Sequence, residues 1–183
     1  MLSVGKKQCN GDRTFCNIKN YNDERPILYV DMDSVLVNFA DGIENKISEE
    51  EREKYKDHYD DVPDFFARLE PIEHAVEAFN KLSEEYNTFL LSTAPWDNDL
   101  AWTHKMEWVM KYLGAKAKKR LILSHHKNLN RGCILIDDSS RNGVKEFGGK
   151  WFQFGKPPYE NWEKMLAVLN MKLDKTGTAD KER

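Results

Sequence analysis

An apolar run without alternation, Ile27-Leu28-Tyr29-Val30, breaks off at two aspartates one residue apart, Asp31 and Asp33. A half-exposed strand would alternate apolar and polar residues with period two. Four apolar or aromatic residues in succession suit a strand covered on both faces, as in a parallel sheet. This gives the aspartates a place, because open α/β sheets bind ligands beyond the carboxyl ends of their strands. Two carboxylates so close repel each other, and a hard cation that prefers oxygen ligands, such as Mg²⁺, relieves that repulsion. Asp-x-Asp alone is a weak signal, since most instances are solvated loops. After a buried strand it points to chemistry.

Further apolar runs follow the same plan at Thr88–Ser92, Leu121–Ser124, Cys133–Ile136 and Trp151–Phe154. Between them, Ile72, Ala75, Val76, Ala78, Phe79 and Leu82 recur at helical spacing over 72–86. Further helices are expected at 100–113, about 140–147, and 160–170. Strands alternating with helices predict an α/β fold with a doubly wound parallel sheet, Rossmann-like in its core. Residues 38–71 are rich in Glu, Lys, Asp and Tyr, lack strand patterning and end at Pro71, which suggests a small helical cap inserted after the first strand. The expected organisation is a mobile segment over 1–25, a core over 26–37 and 72–170, a cap over 38–71, and a frayed tail over 171–183.

Bulk properties exclude some classes. The chain has 183 residues, enough for one core with a small insertion, and its net charge of −3 gives no electrostatic case for a nucleic-acid polymer. The short basic run Lys116, Lys118, Lys119 and Arg120 reads as a helix end or solvated turn. No apolar segment approaches the roughly 20 residues needed to cross a bilayer, and the N-terminus lacks the features of a signal or transit sequence. A cytoplasmic setting is therefore expected, with Cys133 as a buried free thiol and Cys9 and Cys16 in the N-terminal segment.

The first four strands each lead into residues able to do chemistry: Asp31 and Asp33, then Ser92 and Thr93, then Lys127, then Asp137 and Asp138. Taken singly, Thr93 is more often a turn residue before a proline, Lys127 a surface lysine, and Asp137-Asp138 a loop or helix cap. In one parallel sheet all four strand ends share an edge, so the bland explanations must coincide four times. Acids to hold a cation, a hydroxyl and a lysine to neutralise an anion, and a carboxylate left to attack suit phosphoryl transfer.

These residues carry a resemblance. DMDSV, STAP, Lys127 and LIDD match in order the four motifs of the haloacid dehalogenase-like phosphohydrolases. Within that superfamily the chain resembles the 5′(3′)-deoxyribonucleotidases over roughly residues 26–170, through DMDSVLVNF, FFARLEPIEHAVEAF, LSTAPW, AWTHKMEWVMKYLG and SHHKNLNRGCILIDD. The resemblance implies that Asp31 is a nucleophile forming an aspartyl-phosphate and that Asp33 is the general acid/base, its main-chain carbonyl a metal ligand. It makes Thr93 and Lys127 phosphate-binding, with Lys127 ten positions before Asp137. Asp31, Asp33 and Asp138 would hold Mg²⁺ with Asp137 supporting, and Phe39 and Phe66 would line a nucleoside pocket. Trp96, three positions after Thr93, is a further substrate-binding candidate.

The chemistry is coherent on its own terms. A carboxylate attacks a phosphate dianion only if cations reduce the repulsion. Asp33 must carry a proton for the leaving alkoxide and then take one from water, which requires a raised pKa.

The chain also departs from the family. Ser34 stands where glycine is usual, Ser139 where arginine is usual, and Ala94 where a phosphate-binding serine is usual. The cap is short and lacks the aromatic pair that sandwiches the base, leaving Tyr55 and Tyr59 as replacements. The expected substrate is a nucleoside monophosphate or another small phosphomonoester, with a homodimer admissible. A phosphatase of another phosphometabolite and a catalytically silent phosphate-binding module are the alternatives. A response-regulator receiver has its acidic pair after the first strand, and the order here is the reverse.

Overall fold

The computed structural model describes residues 23–173; the expected N-terminal segment up to residue 22, with Cys9 and Cys16, and the tail beyond 173 lie outside the described residues. Five strands form one wholly parallel sheet: β1 (Ile27–Val30), β2 (Asn87–Ser92), β3 (Leu121–Leu123), β4 (Ile134–Asp137) and β5 (Lys150–Gln153). Their order is β3-β2-β1-β4-β5, so β1 is central and pairs Val30 with Leu90 on one side and Ile136 on the other. Both β1 and β4 are buried along their whole length, which explains the apolar runs Ile27–Val30 and Ile134–Ile136.

Alternate side chains divide between the two faces. Leu28, Val30, Leu90, Ile134 and Ile136 join the larger core with α3 (Ala75–Glu85), α4 (Leu100–Tyr112) and α5 (Trp162–Val168). Ile27, Tyr29, Leu91 and Leu135 form a thinner layer with Val144 and Phe147. Connections run outward from β1 towards β2 and from β4 towards β5, so right-handed crossovers fall on opposite faces. The sheet is doubly wound, and the order reverses between β1 and β4.

The helix expected over 140–147 is a run of turns. Asn142 (φ 53°) and Gly143 (φ 79°) both adopt left-handed backbone, which stops a right-handed helix. Val144 and Phe147 still cover the sheet. The helix expected from residue 72 begins at Ala75, because Pro71 is bridged to Val37 and His74 is left-handed. Cys133 is buried but disulfide-bonded, which corrects the expectation of a free thiol.

Between β1 and α3 lie α1 (Phe39–Asn45), α2 (Glu49–Lys54) and two short 3-10 turns, Tyr59–Asp61 and Phe65–Arg68. The ends of this insertion are stitched together by hydrogen bonds from Asn38 N to Glu70 O and from Ile72 N to Leu36 O, both 2.8 Å. Phe65 and Phe66 anchor it in the core at 0% and 2% exposure. Among the described residues no helix is long and apolar enough to cross a membrane.

Candidate active site

The carboxyl end of β1 feeds directly into a tight turn. Asp31 N donates to Ile136 O (2.9 Å), the last rung towards β4, after which the strand leaves the sheet. Met32 turns into the core, so its neighbours Asp31 and Asp33 face the other way. Its carbonyl accepts hydrogen bonds from Val35, Leu36 and Val37 at 3.2, 2.8 and 2.8 Å. Ser34 completes the turn with φ 57°, which accounts for glycine being usual there. Trp162 of α5 donates from Nε1 to Val35 O (2.9 Å) and braces the turn from below.

Lys127, 2% exposed, stands between two carboxylates: its Nζ is 2.5 Å from Asp137 Oδ2 and 3.0 Å from Asp31 Oδ1. Burial opposes its charge, but Asp31 and Asp137 outweigh burial and hold its pKa above the ordinary lysine value. Asp137 Oδ1 accepts from Ser139 N (3.0 Å), so both its oxygens are engaged. From β5, Trp151 Nε1 donates to Asp137 O (3.0 Å) and Gln153 Nε2 to Asp138 O (3.1 Å), which fixes the acidic pair.

Asp31, Asp137 and Asp138 bring one carboxylate oxygen each to within 4.8 Å of one another. Burial first, and then the charge of Asp31, push Asp137 up to about 7 and Asp138 up to about 6. Both carboxyls are thus held out of water beside a third negative charge. A hard divalent cation fits this all-oxygen donor set better than zinc, which favours Cys and His. Asp33 does not add its carboxylate to this group, because that carboxylate is held elsewhere.

Its partner is Lys105, which the motifs did not reveal. Lys105 Nζ lies 2.6 Å from both oxygens of Asp33 and 3.2 Å from Ser92 Oγ, and sits 4.4 Å from the Phe66 ring centroid. Burial pushes the Asp33 carboxyl up, and Lys105 only partly offsets it, so the pKa stays above the ordinary value. The sequence did hold a signal. Lys105 shares the buried face of α4 with Ala101, Trp108 and Val109, and is the charged residue in that stripe. A lysine buried to 1% exposure needs a partner.

A cavity of about 230 Å³ opens above these groups, walled by Asp31, Asp33, Thr93, Lys127 and Asp138 from the strand ends. Ser34, Phe39, Asp60, Pro95, Ser139, Arg141 and Asn142 complete its lining. Thr93 is aimed by its hydroxyl, which donates to Ser124 O (3.1 Å). Asp60 comes from the insertion, held by Asn98 Nδ2, which donates to Asp60 O (2.8 Å) and Val62 O (3.1 Å).

The structure thus gathers Asp31, Asp33, Thr93, Lys127, Asp138 and Phe39 at one cavity. Phe66 lies behind its wall, 6.3 Å from Phe39 between ring centroids and beneath Lys105. Trp96 is 80% exposed outside the lining and edge-on to His125 at 5.9 Å. Ala94 is fully buried and offers no hydroxyl, while Tyr55 and Tyr59 pack against the core.

Comparison with known proteins shows what the chain is similar to. A Vibrio phage KVP40 protein named as a candidate 5′(3′)-deoxyribonucleotidase is 45% identical over 146 residues, 80% of this chain and 85% of its own length. The 5′(3′)-deoxyribonucleotidase of Bacillus subtilis is 27% identical over 107 residues, covering 58% of this chain and 61% of the relative. Among solved structures, the HAD-hydrolase YfnB of Bacillus subtilis, determined bound to magnesium, superposes with a TM-score of 0.55 at 11% identity. The match covers 80% of this chain and 99% of that one, and supports the fold alone. The family described as 5′ nucleotidase, deoxy (Pyrimidine), cytosolic type C protein matches residues 25–171, and the chain belongs to that deoxyribonucleotidase family of phosphatases.

Proposed function

We propose that this protein is a Mg²⁺-dependent hydrolase of nucleoside monophosphates, deoxyribonucleotides foremost, acting through an aspartyl-phosphate on Asp31. One observation carries the reading: Asp31 sits at the cavity floor 3.0 Å from Lys127, while Asp33, two residues on, is clamped by a different lysine. Two carboxylates with separate cationic partners suit two separate roles. Lys127 and Thr93 receive the phosphate oxygens. An Asp31 oxygen attacks phosphorus as the bond to the nucleoside oxygen breaks, and Asp33 gives its proton to that oxygen. Water then attacks the aspartyl-phosphate, Asp33 takes its proton, and inorganic phosphate leaves. Asp31, Asp138 and the Asp33 carbonyl would hold Mg²⁺, with Asp137 supporting through Lys127; the cation would offset charge on the phosphate oxygens.

Phe39 is the aromatic group at the cavity wall and is assigned to the nucleoside, with Phe66 supporting it and Trp96 available at the outer rim. Stacking a base on such a ring is worth about 1–3 kcal/mol. The test is a panel of nucleoside monophosphates, sugar phosphates and p-nitrophenyl phosphate, assayed for released phosphate with Mg²⁺ and with EDTA. Deoxyribonucleotides should lead the panel, EDTA should abolish turnover, and Asp31→Asn should remove it with the melting curve unchanged. Sugar phosphates hydrolysed better than any nucleotide would overturn the substrate assignment. Absence of turnover on every substrate would favour a phosphate-binding module.

A further inference from the structure

The insertion over 38–71 contributes two residues to the catalytic cavity, Phe39 and Asp60, and loops of the core supply the rest of its lining. Phe39 is a ring, already assigned to the nucleoside. Asp60 is a carboxylate without an assigned task. Its main chain is pinned from the core, because Asn98, 4% exposed, donates from Nδ2 to Asp60 O (2.8 Å) and Val62 O (3.1 Å). The turn also closes on itself, with Asp61 N donating to His58 O (3.0 Å) and Val62 N to Tyr59 O (3.2 Å). The Asp60 carboxylate, by contrast, forms no hydrogen bond or ion pair with a described residue. A carboxylate fixed at a ligand cavity without a protein partner is an acceptor available to the ligand.

The side of the cavity on which Asp60 stands gives it meaning. The attacking and leaving oxygens of a phosphoryl transfer lie roughly in line. Attack by Asp31 from the carboxyl end of β1 therefore sends the leaving group away from the sheet, towards the insertion. The cavity volume of about 230 Å³ falls below the roughly 300–1,000 Å³ of common ligand pockets, so a leaving group passes close to the residues that the insertion contributes. Charge on that side is negative. Burial first, and then the charges of Asp60 and Asp97, hold the neighbouring Asp61 carboxyl above its ordinary value, and His58 offsets them only in part. The second cation of the lining, Arg141, stands on the core side. Its turn is tied to Lys127, whose main-chain N donates to Asn142 O (2.8 Å).

We propose that Asp60 selects the leaving group: it accepts a hydrogen bond from a hydroxyl or N–H of the leaving alcohol and repels a second anionic group carried by it. The favoured substrates are then phosphomonoesters of neutral, hydroxyl-bearing alcohols such as nucleosides, and esters bearing a further phosphate are disfavoured. One fixed charge supplies both the attraction and the repulsion on which specificity depends. The inference rests on the phosphatase reading and names the part of the substrate that this side of the site reads.

The test compares the parent with Asp60→Asn and Asp60→Ala on a deoxyribonucleoside 5′-monophosphate, the matching 3′,5′-bisphosphate and p-nitrophenyl phosphate. Each result is read as a ratio of kcat/KM values within one preparation, which cancels any loss of folded enzyme. Asp60→Ala should lower the ratio of monophosphate to p-nitrophenyl phosphate by about tenfold, the size of a lost hydrogen bond to a charged group. Asp60→Asn keeps an acceptor and loses the charge. It should lower that ratio less, and should raise the ratio of bisphosphate to monophosphate by about tenfold, because a like charge is gone. A purely structural role would move neither ratio. A parent inert on every ester overturns the phosphatase reading and this inference with it. An active parent whose ratios are unmoved in both variants overturns this inference alone, as does a parent that hydrolyses the bisphosphate better than the monophosphate.

Discussion

Lys105 is the clearest case of one side chain setting the character of another. A buried ammonium costs several kcal/mol unless it is paired and hydrogen-bonded. Here Asp33, Ser92 and the face of Phe66 share that task. Its effect on turnover should run through Asp33, which it orients without lining the cavity. Lys105→Met is therefore expected to lower kcat/KM for nucleoside monophosphates by about tenfold or more, within the range of general acid/base help. It should affect p-nitrophenyl phosphate much less, since p-nitrophenolate leaves without a proton. Equal losses on both substrates would refute a positioning role. Ser34 provides a second test at this scale. Left-handed backbone costs a non-glycine residue roughly 1–2 kcal/mol, partly balanced by the extra freedom glycine has when unfolded. Ser34→Gly should raise Tm by about 2 °C, and a fall would show that the serine side chain holds the turn.

Among the elements, the insertion carries a bidentate ion pair at its second 3-10 turn. Ser48 and Glu51 cap α2 reciprocally, and Arg68 reaches back from the second 3-10 turn to grip Glu51 at 2.8 and 2.9 Å. The Arg68 hydrogen bond, followed by that from Ser48 N, lowers the Glu51 pKa to about 2 from 4.5. A depressed carboxyl stabilises the fold above its unfolded pKa and loses that contribution as pH falls through the folded value. Wild type should therefore melt above Glu51→Gln at pH 6, and the gap should close between about pH 4.5 and pH 2. A gap that persists at pH 2 would show that packing of the glutamate, and not its charge, holds the cap. The segment 140–147 shows the opposite dependence. There an expected helix is replaced by turns, and what survives is the burial of Val144 and Phe147 on the second face of the sheet.

For the whole molecule, the doubly wound sheet explains why the candidate site residues share one edge. β1 and β4 adjoin at the reversal of strand order, and their ends contribute Asp31, Asp137 and Asp138. Three acids held together by the fold should make cation binding and stability one equilibrium. At a hundredfold excess of Mg²⁺ over its Kd, binding should add about 2.7 kcal/mol, or roughly 5–10 °C in Tm for a chain of this size. Asp138→Asn should abolish that shift, and in EDTA it should melt no lower than wild type because a repelled charge is gone. A Mg²⁺ shift unchanged by Asp138→Asn would remove the acidic cluster as the site.

The sequence by itself determined the strands, their parallel class and the residues at their carboxyl ends, because each depends on a short local pattern. An unbroken apolar run specifies a strand buried on both faces, and the position just past its end specifies where Asp31, Thr93, Lys127 and Asp138 go. The tertiary structure alone decided which distant groups meet. Lys105 reaches Asp33 across 72 residues of sequence, and Trp162 supports Val35 across 127. No local period encodes such pairings. Packing also withdrew Phe66 behind the cavity wall and left Trp96 in solvent, because a side chain's exposure depends on what the rest of the chain lays over it.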